Sequence, residues 1–258
     1  EMLKPLVTKI PPVAEKLMDA FWPGPLTLLF EKSDIVPKGT TGGLDTVAIR
    51  FPNHPIASRL IKEAGTSIAA PSANLSGKPS PTLGEHVIDD LDGRIDMIID
   101  GGMVGMGLES TIIDVTVDPP LVLRPGFITY EMAQKVVRNL EIDQAILKQP
   151  VEALKPKAPG MKYRHYAPKA NLTIVSGEAG AVIERINALT QQHQQTGDKV
   201  GIICTDESRS QYVGDVITST GSRQDEDSIA QHLYTLLRDL DDMYLDVVFT
   251  VSFATPRL

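Results

Sequence analysis

The hydrophobic positions in the first half of the chain alternate between helical and extended spacing. Helical spacing predicts helices at residues 13–21, 55–64 and 83–91, and from the cap Thr129 through Val137. Short apolar runs predict strands at residues 26–30, 46–51, 67–70, 97–100, 111–115 and 121–124. We expect Ile56, Leu60 and Ile61 on the buried face of the second helix, and a buried strand at the 67–70 run.

The pattern is lost at residue 149 and restarts after residue 168. Strands are predicted at residues 172–175, 200–204 and 246–250, and helices at 180–192 and 228–240. Strands alternating with helices of this length favour a small parallel α/β domain. The stretch between is rich in proline, lysine and aromatic residues, which is typical of a linker. We therefore divide the chain into a catalytic domain (1–140), a linker (141–168) and a C-terminal α/β domain (169–258).

Composition and charge narrow the class of protein. The 258 residues are 42% hydrophobic and 22% charged, as in an ordinary globular protein, and no apolar run is long enough to span a membrane. The net charge of −8 argues against a protein that mainly coats nucleic acid. A single cysteine, Cys204, excludes an internal disulfide and fits a reducing compartment, so we expect a cytoplasmic protein.

A proline- and serine-rich stretch over residues 69–81 is the strongest candidate for a binding loop. It follows a predicted strand and carries Ser72, Asn74 and Ser80 among prolines and glycine. Prolines stiffen the backbone and small residues leave room, so the hydroxyl and amide groups can face a polar ligand. Taken alone, such a stretch is more often a surface turn.

Two arginines, Arg50 and Arg124, stand at the ends of predicted strands and close to prolines. Each alone is as often half of a surface ion pair. Both lie near Ser/Gly loops, and a guanidinium binds carboxylate or phosphate through two parallel hydrogen bonds. The pair therefore suggests an anion site.

The sequence contains no motif for a metal site, a P-loop or a serine esterase. The five histidines lack metal-ligand spacing, and one cysteine cannot build a zinc site. Neither a Walker motif nor Gly-x-Ser-x-Gly is present. We assign no acid–base residue and no metal ligand, and expect Ser, Asn, Arg and Lys to position and neutralise phosphates.

Seven motifs, in order along the chain, resemble the threonylcarbamoyl-AMP synthases of the YrdC-like family. They lie at residues 21–27, 47–52, 70–77, 80–82, 100–102, 109–111 and 123–126. Residues 158–168 resemble the signature of the family's long form, which carries an extra C-terminal domain. The resemblance implies an α/β fold with a YrdC-like twisted mixed sheet and helices, plus a smaller C-terminal Rossmann-like parallel α/β domain.

The resemblance also implies a nucleotidyltransferase reaction. L-Threonine and bicarbonate form a carbamate, which attacks the α-phosphate of ATP and leaves threonylcarbamoyl-AMP and pyrophosphate, with Mg²⁺ accompanying ATP. A downstream threonylcarbamoyl transferase then modifies adenosine 37 of tRNA. The expected partners are therefore L-threonine, bicarbonate, ATP, that transferase and, weakly, tRNA, with no membrane.

The family pattern implies roles for individual residues. The L-threonine-binding set is Arg50, Ala70 and Ser110, with the carboxylate on Arg50. The ATP-binding set is Thr46, Ser72, Asn74, Ser80, Arg124, Tyr163, His165 and Tyr166. The last three belong to the linker, which we expect to lie over the active site and exclude water from the labile carbamate.

The family pattern further includes an N-terminal segment that grips the triphosphate and a closing C-terminal helix, neither of which is recognisable in these 258 residues. Two alternatives stay open. One is a non-catalytic RNA- or nucleotide-binding module of the same fold, against which the acidic charge weighs. The other is a carbamoyltransferase of the hydrogenase-maturation type, against which the lack of cysteine pairs argues.

Overall fold

Nine strands in the described part of the chain form two separate sheets. The structure is a computed structural model that describes residues 1–147 and 169–252. They fall into two compact units. The first unit contains residues 1–71 and 109–147, and the second contains residues 72–108 and 169–252.

The first sheet is mixed, as the resemblance implies. Its strands are β1 (Leu26–Glu31), β2 (Thr46–Arg50), β3 (Thr111–Asp114), β4 (Leu121–Arg124) and β5 (Glu141–Ile142). They lie in the order β2-β1-β3-β4-β5. The pairs β1–β2 and β3–β4 are antiparallel, whereas β1–β3 and β4–β5 are parallel. The strands β1 and β3 are buried almost throughout, so each has adjacent apolar residues instead of a strict alternation of apolar and polar ones.

The second sheet is parallel, which confirms the predicted C-terminal α/β architecture. Its strands are β6 (Asn171–Val175), β7 (Val200–Cys204), β8 (Val216–Ser219) and β9 (Val247–Val251). They lie in the order β6-β9-β7-β8, with every pair parallel. The short strand β8 was not predicted, because only two of its four residues, Val216 and Ile217, are apolar.

Seven α-helices lie within the described residues. They are α1 (Pro12–Phe21), α2 (Pro55–Ala64), α3 (Gly84–Leu91), α4 (Tyr130–Val136), α5 (Gln144–Leu147), α6 (Ala179–Gln195) and α7 (Glu226–Asp242). The predicted cap Thr129 is confirmed, since its hydroxyl accepts from the Met132 N–H at 3.2 Å. Helix α6 packs on the face of the second sheet that includes Ile202, and α7 on the face that includes Ile203. Neighbouring residues of a strand point to opposite faces, so the two helices cover opposite sides of the sheet.

Two predicted strands, 67–70 and 97–100, are wrong. Both segments are irregular, and their apolar side chains are exposed, with Met97 75% accessible and Ile68 45% accessible. A strand needs a neighbour to satisfy its N–H and C=O groups, and no strand of the described residues pairs with either segment. The predicted burial of Ile56 and Leu60 in α2 is also wrong, because both are exposed.

The predicted linker spans residues 141–168, of which residues 148–168 lie outside the described residues. Its first seven residues are ordered elements rather than linker, because they contain β5 and α5. The domain boundaries at residues 140 and 168 stay a prediction. The compact units are a different division of the chain, in which residues 72–108 group with residues 169–252.

Candidate functional site

Four polar side chains gather at one end of the first sheet. Strands β1 and β3 begin there, and their antiparallel neighbours β2 and β4 end there. In the register of the sheet, Thr27 of β1 faces Arg50 of β2, and Ile112 of β3 faces Arg124 of β4. Ser110 directly precedes β3, so the topology brings Thr27, Arg50, Ser110 and Arg124 to the same end.

Ser110 is the most enclosed member of this group. It is only 6% exposed, and its hydroxyl oxygen lies 2.7 Å from the Thr27 hydroxyl oxygen. Arg124 donates through Nε and Nη2 to the Ser110 carbonyl at 3.1 and 2.8 Å, and through Nη2 to the Ser110 hydroxyl at 3.1 Å. Two donors on one carbonyl fix the plane of the guanidinium. Arg124 is therefore positioned by backbone rather than by a carboxylate.

Gly126 explains how Arg124 comes so close to Ser110. A Cβ at residue 126 would lie 2.4 Å from the Glu109 carbonyl oxygen and 2.6 Å from the Thr111 nitrogen. Any larger residue would push these two chain segments apart. The glycine of the 123–126 motif therefore sets the distance between the end of β4 and the start of β3.

Arg50 completes a pair of positive charges at this end of the sheet. Desolvation of its guanidinium and the like charge of Arg124 both lower the pKa of Arg50 from its ordinary value. Within residues 1–147 and 169–252, neither arginine forms an ion pair with a carboxylate. Two cations without a protein anion favour binding of an anionic ligand.

The other predicted site residues of the first unit lie elsewhere. Thr46 begins β2 and faces Glu31. It is therefore four residue positions from Arg50, about 13 Å along the strand. Ala70 is exposed in the irregular segment that follows α2. The structure thus brings Arg50, Ser110 and Arg124 together and leaves Thr46 at the opposite end of the sheet.

Ser72, Asn74 and Ser80 lie in the second unit, on a segment that we call the 72–81 loop. The Asn74 amide nitrogen donates to the Leu75 and Lys78 carbonyls at 2.8 and 3.1 Å, so it holds the turn closed. Its amide oxygen is buried without a hydrogen-bond partner in the described residues. Ser72 is exposed and Ser80 is half-buried.

Asp90, in α3, anchors the same loop and was missed by sequence reasoning. Its fully buried carboxylate accepts from the Leu75 N–H at 3.2 Å and from the Lys78 ammonium at 2.6 Å. Burial alone would raise the pKa of Asp90, but hydrogen bonds from Arg238, Lys78 and Leu75 lower it to about 2. The burial of His86 and Asp90 one helical turn apart is a tertiary feature, because neither residue is apolar.

Three predicted site residues, Tyr163, His165 and Tyr166, lie outside the described residues. Among residues 1–147 and 169–252, no group of three or more His, Cys, Asp and Glu side chains is arranged to hold a metal ion. In the same part of the chain, none of the helices has the length and hydrophobicity needed to cross a membrane.

Comparison with known proteins identifies similar sequences along almost the whole chain. A family model described as "Telomere recombination" matches residues 1–126, and one described as "Threonylcarbamoyl-AMP synthase, C-terminal domain" matches residues 128–257. Proteins named threonylcarbamoyl-AMP synthase from Bacillus subtilis and Pyrococcus abyssi are each 46% identical. The matches cover 97% and 96% of this chain and 71% of each relative.

A crystal structure of P. abyssi Sua5 complexed with L-threonine has a similar fold. It matches with a TM-score of 0.90 at 44% identity, covering 98% of this chain and 72% of that protein. A threonylcarbamoyl-AMP synthase from Schizosaccharomyces pombe is 38% identical, over 93% of this chain and 62% of its own length. Sequence and fold therefore agree on the same group of proteins.

Proposed function

This chain belongs to the threonylcarbamoyl-AMP synthase family, and from that premise we propose that it makes threonylcarbamoyl-AMP and pyrophosphate from L-threonine, bicarbonate and ATP. The family membership confirms the resemblance carried by the seven sequence motifs. The synthases from Bacillus subtilis and Pyrococcus abyssi align with 97% and 96% of this chain, which supports an enzyme rather than a non-catalytic module of the same fold.

The proposed reaction has two bond-forming steps. The ammonium group of L-threonine and bicarbonate first form a carbamate, with release of water and a proton. A carbamate oxygen then attacks the α-phosphorus of ATP, and the bond from that phosphorus to the bridging oxygen of the β-phosphate breaks. The carbamate, the triphosphate and the threonine carboxylate are all anions, so positioning and charge neutralisation are the main tasks of the protein.

Arg50 is proposed to bind the threonine carboxylate. The support is its position at the end of β2, beside a second arginine and without an ion-pair partner in the described residues. Ser110 lies at the same end of the sheet, where a hydroxyl can orient the amino acid. This unneutralised arginine pair beside a buried serine is the observation that carries the proposal.

ATP is proposed to contact Arg124 and the 72–81 loop. Nε and Nη2 of Arg124 are occupied by Ser110, whereas Nη1 has no partner among the described residues and is free for a phosphate. In the loop, the buried amide oxygen of Asn74 lacks a donor, which a nucleotide amino or hydroxyl group can supply. Ser72 and Ser80 add hydroxyl groups, and Thr46 is proposed to contact ATP separately from Arg124.

Several further expectations stay proposals. Ala70 is proposed to line the threonine site, and Tyr163, His165 and Tyr166 to cover the reacting groups. Mg²⁺ is proposed to arrive as part of the substrate MgATP, since phosphate oxygens are its usual ligands. Cytoplasmic location, transfer of the product to a threonylcarbamoyl transferase and weak tRNA contact are proposed on family grounds.

The experiment is incubation of the full-length protein with ATP, L-threonine and labelled bicarbonate. We expect a labelled adenylate and one pyrophosphate for each adenylate formed. Reactions without threonine, and with serine in its place, are the controls. Pyrophosphate release that does not depend on threonine would contradict the proposal.

A further inference from the structure

One face of helix α7 is bound to the segment that contains the 72–81 loop. Residues 231, 235 and 238 lie on the same face, because they are separated by four and three positions. The Gln231 amide donates to the Val104 carbonyl at 3.3 Å, and the Thr235 and Thr82 hydroxyl oxygens are 2.7 Å apart. These two contacts and those of Arg238, at the third position, attach the helix to the segment over about two turns.

The helix approaches the segment too closely for a side chain at one point. Gly107 has a positive φ of 66°, and a Cβ there would lie 2.2 Å from the Gln231 Cα. The backbones of α7 and of the 104–108 segment are therefore in direct contact, which leaves little room for α7 to slide.

Arg238 is the member of this face that reaches the loop itself. Its Nε and Nη2 donate to the Pro79 carbonyl at 3.1 and 2.6 Å. Its Nη2 and Nη1 donate to the two oxygens of Asp90 at 2.9 and 3.4 Å. One guanidinium thus holds both the loop backbone and the carboxylate that anchors Leu75 and Lys78.

Burial makes this connection specific. The Arg238 side chain is 9% exposed and that of Asp90 is fully buried, so water cannot replace either partner. A lysine has one ammonium group and lacks the planar fork that lets arginine satisfy a carbonyl and a carboxylate at once. The function proposed above uses Ser72, Asn74 and Ser80 but assigns no role to Arg238.

We propose that Arg238 is a positioning residue for ATP, which holds the 72–81 loop in its binding conformation from helix α7. This inference rests on the proposed function. It gives the C-terminal region a direct part in the first reaction of the enzyme, because α7 follows β8 and precedes β9 in the second sheet. A loop released from Arg238 would sample other conformations and bind ATP less often.

The test compares Arg238→Met and Arg238→Lys with the wild-type, full-length protein. Arg185→Met is the matched control, since Arg185 is exposed on α6. The measurements are the KM values for ATP and threonine, kcat, thermal unfolding, and hydrogen exchange of the Leu75 and Lys78 amides. We expect the Met variant to raise the KM for ATP about tenfold, with a smaller change for threonine. Exchange at the loop amides should rise, and Lys should restore binding only partly.

Several results would overturn the inference. They are unchanged loop exchange in a folded Met variant, equal increases in both KM values, or full recovery with Lys. If the Met variant does not fold, hydrogen exchange of the loop amides and the two KM values are measured on the Lys variant instead. A wild-type protein that makes no adenylate would overturn the proposed function instead, and loop exchange would still decide whether Arg238 holds the loop.

Discussion

Cationic side chains cluster both at the end of the first sheet and at the 72–81 loop, but in the described part of the chain only those at the loop are paired with a carboxylate. At the sheet end, Arg50 and Arg124 stand beside Ser110 without a carboxylate in the described residues. At the loop, Lys78 and Arg238 share the buried carboxylate of Asp90. The first arrangement leaves charge available for a ligand, whereas the second uses its charge to hold the chain.

This difference distinguishes arginines that can bind a substrate from arginines that hold the fold together. A guanidinium that binds backbone or solvent can exchange its partner for a substrate anion. A guanidinium paired to a buried carboxylate cannot do so without exposing an unpaired charge in the interior. Removing a residue from the loop cluster should therefore affect stability first, and removing one from the sheet end should affect substrate binding first.

The largest expected effect is on stability, for Asp90→Ala. This change leaves Arg238 buried without its carboxylate and should lower the free energy of unfolding of the second unit by about 3–5 kcal/mol. Chemical denaturation measures it. Asp89→Ala, an exposed neighbour on the same helix, is the control. Equal losses in the two variants would mean that the cluster does not hold the unit.

Next in size is the effect of Arg50→Ala on threonine. Loss of a charge-assisted bidentate contact should weaken threonine binding by about 2–3 kcal/mol, roughly 30- to 150-fold. The melting temperature should stay the same, because no described residue pairs with Arg50. Pyrophosphate release at varied threonine measures the loss, with Arg59→Ala as the control. An unchanged KM for threonine would remove Arg50 from the site.

Acid should affect the loop cluster in a defined range of pH. The pKa of Asp90 is about 2 in the folded protein, below its ordinary value of 3.8. A lowered folded pKa contributes stability above pH 3.8, and that contribution disappears as the pH falls towards 2. It amounts to about 2 kcal/mol. The stability difference between wild type and Asp90→Asn should shrink over this range; a constant difference would refute the assignment.

The smallest effect is expected for Arg124→Ala. Its Nη1 is the group proposed for ATP, so affinity for a non-hydrolysable ATP analogue should fall about tenfold, and threonine affinity should fall less. Calorimetric titration of each ligand measures both, with the exposed Arg138→Ala as the control. Equal losses would restrict Arg124 to holding Ser110, the contact that the structure contains.

Sequence patterns determined most of the individual elements. Helix α2 was predicted with its observed bounds, and β1, β3 and β4 within one residue. Buried strands contain adjacent apolar residues, and prolines and caps mark helix ends, so these signals are local. The positions of Arg50 and Arg124 at the ends of β2 and β4 were predicted for the same reason, because the end of a strand can be recognised from the local sequence.

Tertiary structure decided the features that depend on a distant partner. The runs 67–70 and 97–100 have strand composition but no strand beside them in the described residues, and a ladder needs both sides. Thr46 and Arg50 share one strand, and only its antiparallel pairing with β1 places Arg50, rather than Thr46, beside Thr27. Asp90 and Arg238 are 148 residues apart, and neither local sequence predicts that the two residues pair. Hydrophobic periodicity and secondary-structure propensity report only on local structure. A buried ion pair forms only when two segments remote in sequence fold together.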